Sequence, residues 1–320
     1  MARATFDYAF PHTSLLSIAD LNPVDIQQLF ERAAHWREVS RGTQAKSDAL
    51  SGLTQLNLFF EASTRTQASF EMAGKRLGAD VVNFALKSSS ASKGESLSDT
   101  ARTLAAMQPD ILVVRHSATG APAFLRERTG LAVINAGDGM CEHPTQALLD
   151  VFTLSQRWGE VGGRRVLIVG DILHSRVARS NIALLNMLGA EIRVCAPATL
   201  LPAGVENWGV GVFQDLDTAL EGCDAVMALR QQKERMSGGF VPSGREFFHR
   251  YGLSHERLAA AKPDALVMHP GPMNRGVEIH GKLADDPGRS VILDQVENGV
   301  AVRMALLELI GGYLKKEVRA

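Results

Sequence analysis

The sequence predicts an α/β protein of two domains, each a parallel sheet sandwiched between helices. Three observations lead there. Short runs rich in Val, Ile and Leu alternate with helix-patterned segments along the chain, the βαβα order that builds parallel sheets. Those runs show little polar alternation, as suits strands covered on both faces. The length of 320 residues also favours two domains over one.

The first helix opens at Asn22-Pro23, with Asn as cap and Pro at the first helical position, and Ile26, Leu29 and Phe30 share a face. Strands are expected at 53–60, 81–84, 110–115 and 132–136. Between them lie helices at 63–78, with Phe70, Ala73 and Leu77 on one side, and at 95–107. A helix at 145–157 runs to Trp158-Gly159, where a domain boundary is expected, and Gly162-Gly163 introduces a fresh strand. Strands at 165–171, 191–196, 224–229 and 265–269 then alternate with a helix at 176–188, and a last helix covers 297–314. The first domain is thus 1–150, the second 151–296, and the terminal segment 297–320 is expected to pack back on the first.

Composition narrows the function classes. Hydrophobic residues make 45% and charged residues 22%, which is ordinary for a globular enzyme and argues against disorder, collagen and coiled coil. The formal net charge of −1 lacks the basic excess of a nucleic-acid or membrane-surface binder. Within that balance Arg outnumbers Lys by 25 to 9, and Arg is the side chain suited to forked hydrogen bonding of carboxylate and phosphate. Genomic base composition explains a high total equally well, so neighbours must decide which Arg do chemistry. Cys141, Cys195 and Cys223 are sparse, odd in number and without metal spacing, as fits a reducing compartment. The first twenty residues lack a basic start followed by an apolar stretch, and no apolar run approaches a membrane span. A cytoplasmic protein is expected.

Seven segments could carry chemistry. Phe60-Glu-Ala-Ser-Thr-Arg-Thr66, at a strand end and helix start, offers three hydroxyls, the free N–H groups of a first helical turn and a cation, a combination suited to phosphate. A plain Ser cap beside a surface Arg is the ordinary alternative. Ser88-Ser-Ser-Ala-Ser-Lys-Gly-Glu95 reads as a polar loop whose Lys93 could reach an anion, or as solvated surface. In Val113-Val-Arg-His116 a strand ends on Arg115, and strand carboxyl ends are where open α/β sheets bind ligands. In Gly137-Asp-Gly-Met-Cys-Glu-His-Pro-Thr-Gln146, His143 and Gln146 are three apart and can face one ligand.

Gly170-Asp-Ile-Leu-His-Ser-Arg176 is a strand–helix turn without the G-x-G-x-x-G fingerprint, and Arg176 there suits a carboxylate. Leu229-Arg-Gln-Gln-Lys-Glu-Arg235 puts Arg230 and Gln232 at another strand end. His269-Pro-Gly-Pro-Met-Asn-Arg-Gly276 is a rigid turn whose carbonyls could accept from an amide. There is no Walker A loop, kinase signature, H-E-x-x-H or G-x-S-x-G. Anion binding and positioning are therefore expected to carry the chemistry, with no metal and no cofactor.

Taken in order, these segments resemble the aspartate/ornithine carbamoyltransferase family over most of the chain. Ser63-Thr-Arg-Thr66 and His143-Pro-Thr-Gln146 are shared by carbamoyltransferases in general. Lys93-Gly-Glu95, Arg230-Gln-Gln-Lys-Glu-Arg235 and the Pro-Gly-Pro loop are similar to the aspartate branch, while the Ser-Met-Gly and His-Cys-Leu-Pro patterns of the ornithine branch do not occur. The resemblance implies transfer of the carbamoyl group of carbamoyl phosphate to L-aspartate, the second step of de novo pyrimidine synthesis. It implies that Ser63, Thr64, Arg65 and Thr66 hold the phosphate. Arg115 and His143, with Thr66, would bind the carbonyl oxygen. Gln146 and the loop Pro270, Gly271 and Pro272 would accept from the amide. Arg176 would take the α-carboxylate of aspartate, and Arg230 with Gln232 the β-carboxylate. Ser89 and Lys93 would reach in from a neighbouring subunit of a homotrimer. Gly271 stands where the best-known members carry Leu, and a backbone carbonyl contact survives that change. A regulatory or dihydroorotase-like partner chain is a further partner to consider, and no motif selects between them.

Overall fold

The computed structural model describes residues 10–42, 46–85, 96–232, 235–236 and 243–317. The chain divides into two compact units, Met1–Thr145 with Gly299–Ala320, and Gln146–Asn298.

The first unit runs α1 (Pro23–Arg41), β1 (Thr54–Phe59), α2 (Thr64–Arg76), β2 (Asp80–Ala85), α3 (Leu97–Ala106), β3 (Ile111–His116), α4 (Ala121–Thr129) and β4 (Ala132–Asp138), then the start of α5 (Pro144–Trp158). The Asn22-Pro23 start is stronger than a lone cap. Asn22 Oδ1 accepts the Val24 and Asp25 N–H groups, and the Asp25 carboxylate accepts the Asn22 N–H at 3.0 Å, a reciprocal capping box. The four strands are parallel in the order β2-β1-β3-β4. Leu56, Leu58, Leu112, Val114 and Val133 of the sheet pack with Ala101 and Leu104 of α3 and Leu125 of α4. Burial of each such Leu contributes about 2 kcal/mol. Burial on both faces fails at the edge strand β2, where Val82 is 45% exposed. Helix α4 has no counterpart in the sequence pattern. It carries three buried residues, and glycines with φ of +84° and +70° stand at its two ends where a capping side chain would signal it.

The second unit runs from α5 through β5 (Arg165–Val169), α6 (Arg176–Met187), β6 (Glu191–Cys195), β7 (Gly211–Phe213), α7 (Leu216–Leu220), β8 (Ala225–Ala228), α8 (Gly244–Tyr251), α9 (His255–Leu258), β9 (Leu266–Met268) and α10 (Gly281–Ala284), then into α11 (Ile292–Glu317). Its five strands are parallel in the order β7-β6-β5-β8-β9. Most of α11 belongs to the first unit, as expected of a returning terminal helix. There Glu308 accepts from Trp36 Nε1 at 2.7 Å and from Arg32 Nε at 2.9 Å, tying α11 to α1. The guanidinium of Arg303 lies 5.0 Å over the Phe70 ring.

Candidate active site

In the first unit the chain steps from β1 to β2 on one side, then returns to place β3 and β4 on the other. The switch falls between β1 and β3, and ligands bind beyond the carboxyl ends of strands at such a point. The turn after β1 carries the first motif. Phe59 is paired with Arg115, and the Phe60 N–H donates to the Arg115 carbonyl at 2.9 Å. Helix α2 begins at Thr64. Its cap residue Ser63 makes no side-chain cap bond; its hydroxyl instead donates to Thr66 Oγ1 at 2.9 Å. Thr64 and Arg65 are exposed, Thr66 is buried, and no acidic residue stands in the first turn. The positive end of a 13-residue helix is thus left for an anion.

Arg115, one residue from the end of β3, is mostly buried. Its Nη2 donates to Glu61 Oε1 at 2.8 Å and its Nη1 to the Ala136 carbonyl at 3.4 Å. Next to it the His116 ring packs on Phe60, centroids 4.8 Å apart, with its Nδ1 accepting the Ala118 N–H at 2.8 Å. Burial pushes the His116 pKa below its ordinary 6.5. His143 is buried immediately before Pro144, the first residue of α5. The loop that delivers it is closed by Asp138. That carboxylate accepts the Glu142 N–H at 3.0 Å, Asn135 Nδ2 at 3.2 Å and the Gly120 N–H at 2.8 Å.

In the second unit the switch falls between β5 and β8. The two strand ends touch. The Leu229 N–H donates to the Val169 carbonyl at 2.8 Å, and Gly170 has φ +130° with a built Cβ only 2.3 Å from the Leu229 oxygen. Beyond β5, buried Asp171 accepts the His174 N–H at 3.1 Å, meets the His174 ring at 2.9 Å, and accepts the Gln232 N–H from the β8 side at 2.9 Å. The Ser175 hydroxyl caps α6 through the Ala178 N–H, and buried Arg176 is the first helical residue. A buried guanidinium at a helix N-terminus runs against the dipole, so anionic or acceptor company is needed there. Beyond β8, half-buried Arg230 donates to the Gln231 carbonyl and to Gln232 Oε1, both at 3.2 Å. Arg235 donates to the His174 carbonyl at 3.0 Å.

Beyond β9, His269 is buried with its Nδ1 accepting the Gly271 N–H at 2.8 Å, so Nε2 carries the proton and meets Glu278 at 3.1 Å. Glu278 also accepts the Asn274 N–H. Gly271 has φ +65°, a region that favours glycine, and the Gly271–Pro272 peptide is cis. Gln146, in the first turn of α5, donates through Nε2 to Asp150 Oδ1 at 2.9 Å.

Each described residue singled out from the sequence therefore lies at a strand's carboxyl end or a helix start. Within the first unit the adjoining strands β1, β3 and β4 lead to Ser63, Thr64, Arg65 and Thr66, to Arg115, and to His143. Within the second, Arg176, Arg230 and Gln232 follow the two strands of one switch, and Pro270, Gly271 and Pro272 lie in the loop after the adjoining strand β9. Ser89 and Lys93 lie outside the described residues. Sequence reading passed over Glu61, Asp171 and Glu278, which sit inside or beside the motifs. It also passed over Asp150 and Gln295, which no local signal marks. Among the described residues no three His, Cys, Asp or Glu gather as a metal site.

Family models match both units in sequence order. One described as "Aspartate/ornithine carbamoyltransferase, carbamoyl-P binding domain" matches residues 13–156, and one described as "Aspartate/ornithine carbamoyltransferase, Asp/Orn binding domain" matches residues 162–310. The aspartate carbamoyltransferase catalytic subunit of Maricaulis maris is 78% identical over 320 residues, covering all of both chains. The crystal structure of aspartate transcarbamoylase from Trypanosoma cruzi in complex with carbamoyl phosphate and aspartate is similar with a TM-score of 0.82 at 32% identity, over 92% of this chain and 95% of that one. Ornithine carbamoyltransferase from Pyrococcus furiosus is similar with a TM-score of 0.84 at 27% identity, over 93% of this chain and 97% of that one. Backbone shape alone thus does not separate the two branches.

Proposed function

The chain belongs to the aspartate/ornithine carbamoyltransferase family, and from that premise we propose how its residues divide the work of one reaction. It is an enzyme that transfers the carbamoyl group of carbamoyl phosphate to the amine of L-aspartate, giving N-carbamoyl-L-aspartate and phosphate. That product is the one expected of the second step in de novo pyrimidine synthesis. The observation that carries the choice of aspartate is the pair Arg176 and Arg230 flanking the β5/β8 switch. A dicarboxylate calls for two cations there, whereas the terminal ammonium of ornithine calls for a carboxylate. Assay of the purified protein with carbamoyl phosphate and a panel of amino acids tests this. Turnover is expected with aspartate, and turnover with ornithine in its place would overturn it.

In this reading the phosphate of carbamoyl phosphate lies at the α2 N-terminus on Ser63, Thr64, Arg65 and Thr66. Arg115, His143 and Thr66 donate to the carbonyl oxygen, where charge builds as the amine attacks. Each such donor is worth about 3 kcal/mol in comparable sites. Gln146 and the carbonyls of the loop Pro270, Gly271 and Pro272 accept from the amide. Arg176 takes the α-carboxylate of aspartate, and Arg230 with Gln232 the β-carboxylate. Holding two anionic substrates together supplies the rest through positioning. The departing phosphate takes the amine proton. A pH–rate profile that loses an ionising protein base through one substitution would contradict that last step.

Ser89 and Lys93 are assigned to a neighbouring subunit's site in a homotrimer. The naming of close relatives as catalytic subunits supports assembly. Mixing inactive Lys93→Ala and Arg65→Ala subunits is expected to restore part of the activity, and a mixture as inactive as its parents would remove shared sites. A cytoplasmic location is supported by the cysteines. Cys195 and Cys223 are buried as thiols and in no disulfide, which suits a reducing compartment.

A further inference from the structure

We propose that Asp150 is a positioning residue that orients both groups of acceptors assigned to the carbamoyl amide. The inference rests on that assignment of Gln146 and the loop at 270–272, and adds what holds them in place.

Asp150 lies in the fourth turn position after Gln146 on α5 and is fully buried. Its Oδ1 accepts from Gln146 Nε2 at 2.9 Å and from Gln295 Nε2 of α11 at 2.7 Å. Its Oδ2 accepts from Asn181 Nδ2 of α6 at 2.9 Å. Gln146, Asn181 and Gln295 are themselves buried, and all four residues belong to the second unit.

Both Asp150 oxygens act as acceptors here, while a primary amide has a donating nitrogen and an accepting oxygen. Every amide that meets Asp150 must therefore turn its NH2 towards it. For Gln146 this makes Oε1, the acceptor, the atom turned away from Asp150. That is the atom required to accept from a carbamoyl NH2. For Gln295 the same constraint presents Oε1, which accepts the backbone N–H of His269 at 3.0 Å. His269 in turn fixes the loop beyond β9, because its Nδ1 accepts the Gly271 N–H at 2.8 Å. One carboxylate thus sets the polarity of Gln146 directly and anchors the Pro270 and Gly271 carbonyls through Gln295 and His269. With Asn at position 150 the group could donate as well as accept, and either glutamine amide could turn over.

The test compares carbamoyl phosphate with acetyl phosphate, which keeps the phosphate and carbonyl but has a methyl in place of the NH2. Dissociation constants for both are measured by calorimetry on the wild type, Gln146→Ala, Asp150→Asn and Gln295→Leu. The wild type is expected to prefer carbamoyl phosphate. Gln146→Ala and Asp150→Asn are each expected to cut that preference about tenfold, with acetyl phosphate binding unchanged. Gln295→Leu should cut it in part, since it severs the loop branch and leaves Gln146 on Asp150. This variant carries the test if Asp150→Asn does not fold. Equal weakening of both ligands in these variants means a merely structural role and overturns the proposal. A loss of preference in Gln146→Ala with none in Asp150→Asn and Gln295→Leu also overturns it, leaving the site assignment intact. No preference in the wild type, or an unchanged one in Gln146→Ala, removes the site assignment and the proposal with it.

Discussion

Arg115 Nη2 lies 2.8 Å from Glu61 Oε1, joining the end of β3 to the turn after β1. Both side chains are largely shielded, so the pair is held more firmly than an exposed one. The carboxylate and the Ala136 carbonyl together hold the fork of the guanidinium in one orientation. Glu61→Ala is expected to lower kcat at least tenfold, with a smaller change in the carbamoyl phosphate KM. Steady-state kinetics check this, and an unchanged kcat would mean that Arg115 needs no such support.

The two anion-binding ends should separate by substrate. Arg65→Ala is expected to weaken phosphate binding about tenfold to a hundredfold, the range for hydrogen bonds to charged groups. Arg230→Ala is expected to raise the aspartate KM by a similar factor, with carbamoyl phosphate binding unchanged. Calorimetry with each ligand decides it. Equal losses on both ligands from Arg230→Ala would contradict the assignment.

Gly170 sits where β5 and β8 meet. Its φ of +130° and the 2.3 Å approach of a built Cβ to the Leu229 oxygen leave no room for a side chain. Gly170→Ala must therefore part the two strand ends, at about 2 kcal/mol or more. Urea unfolding is expected to show a lower midpoint, and aspartate binding should weaken with it, because Arg176 and Arg230 follow these strands. A variant of native stability would refute the close contact.

His116 supplies a pH effect of defined sign. Burial holds its folded pKa below the ordinary 6.5, so between those two values the unfolded chain binds a proton that the native chain does not. Its contribution is fully present above pH 6.5 and is lost as pH falls towards the lower folded pKa. Urea midpoints at pH 7.5 and 5.5 should draw closer in His116→Phe than in the wild type. An unchanged gap would show that the ring does not titrate as described.

Much of this protein was legible without coordinates. The capped start at Asn22, the alternation of strands and helices, the parallel arrangement and the residues at strand ends all follow from local patterns. Each depends on a few neighbouring side chains, whose periodicity and capping chemistry are written in consecutive positions. α4 escaped because three buried residues carry too little pattern, and β7 because it is a largely exposed edge strand without the buried apolar run that marks the equally short β9.

By itself, then, the sequence determined the fold class, the family and which residues stand at helix starts and strand ends. Tertiary structure alone decided the strand orders β2-β1-β3-β4 and β7-β6-β5-β8-β9, and with them the two switch points, where the β1 and β3 ends carry Ser63 and Arg115 and the β5 and β8 ends carry Arg176 and Arg230. It also decided which buried polar groups meet, Glu61 with Arg115, Asp171 with the Gln232 N–H, and Asp150 with Gln295 across 145 positions. The physical reason is range. Helix and strand signals arise from contacts a few residues apart, whereas strand order and buried polar partners are set by which distant surfaces exclude water together.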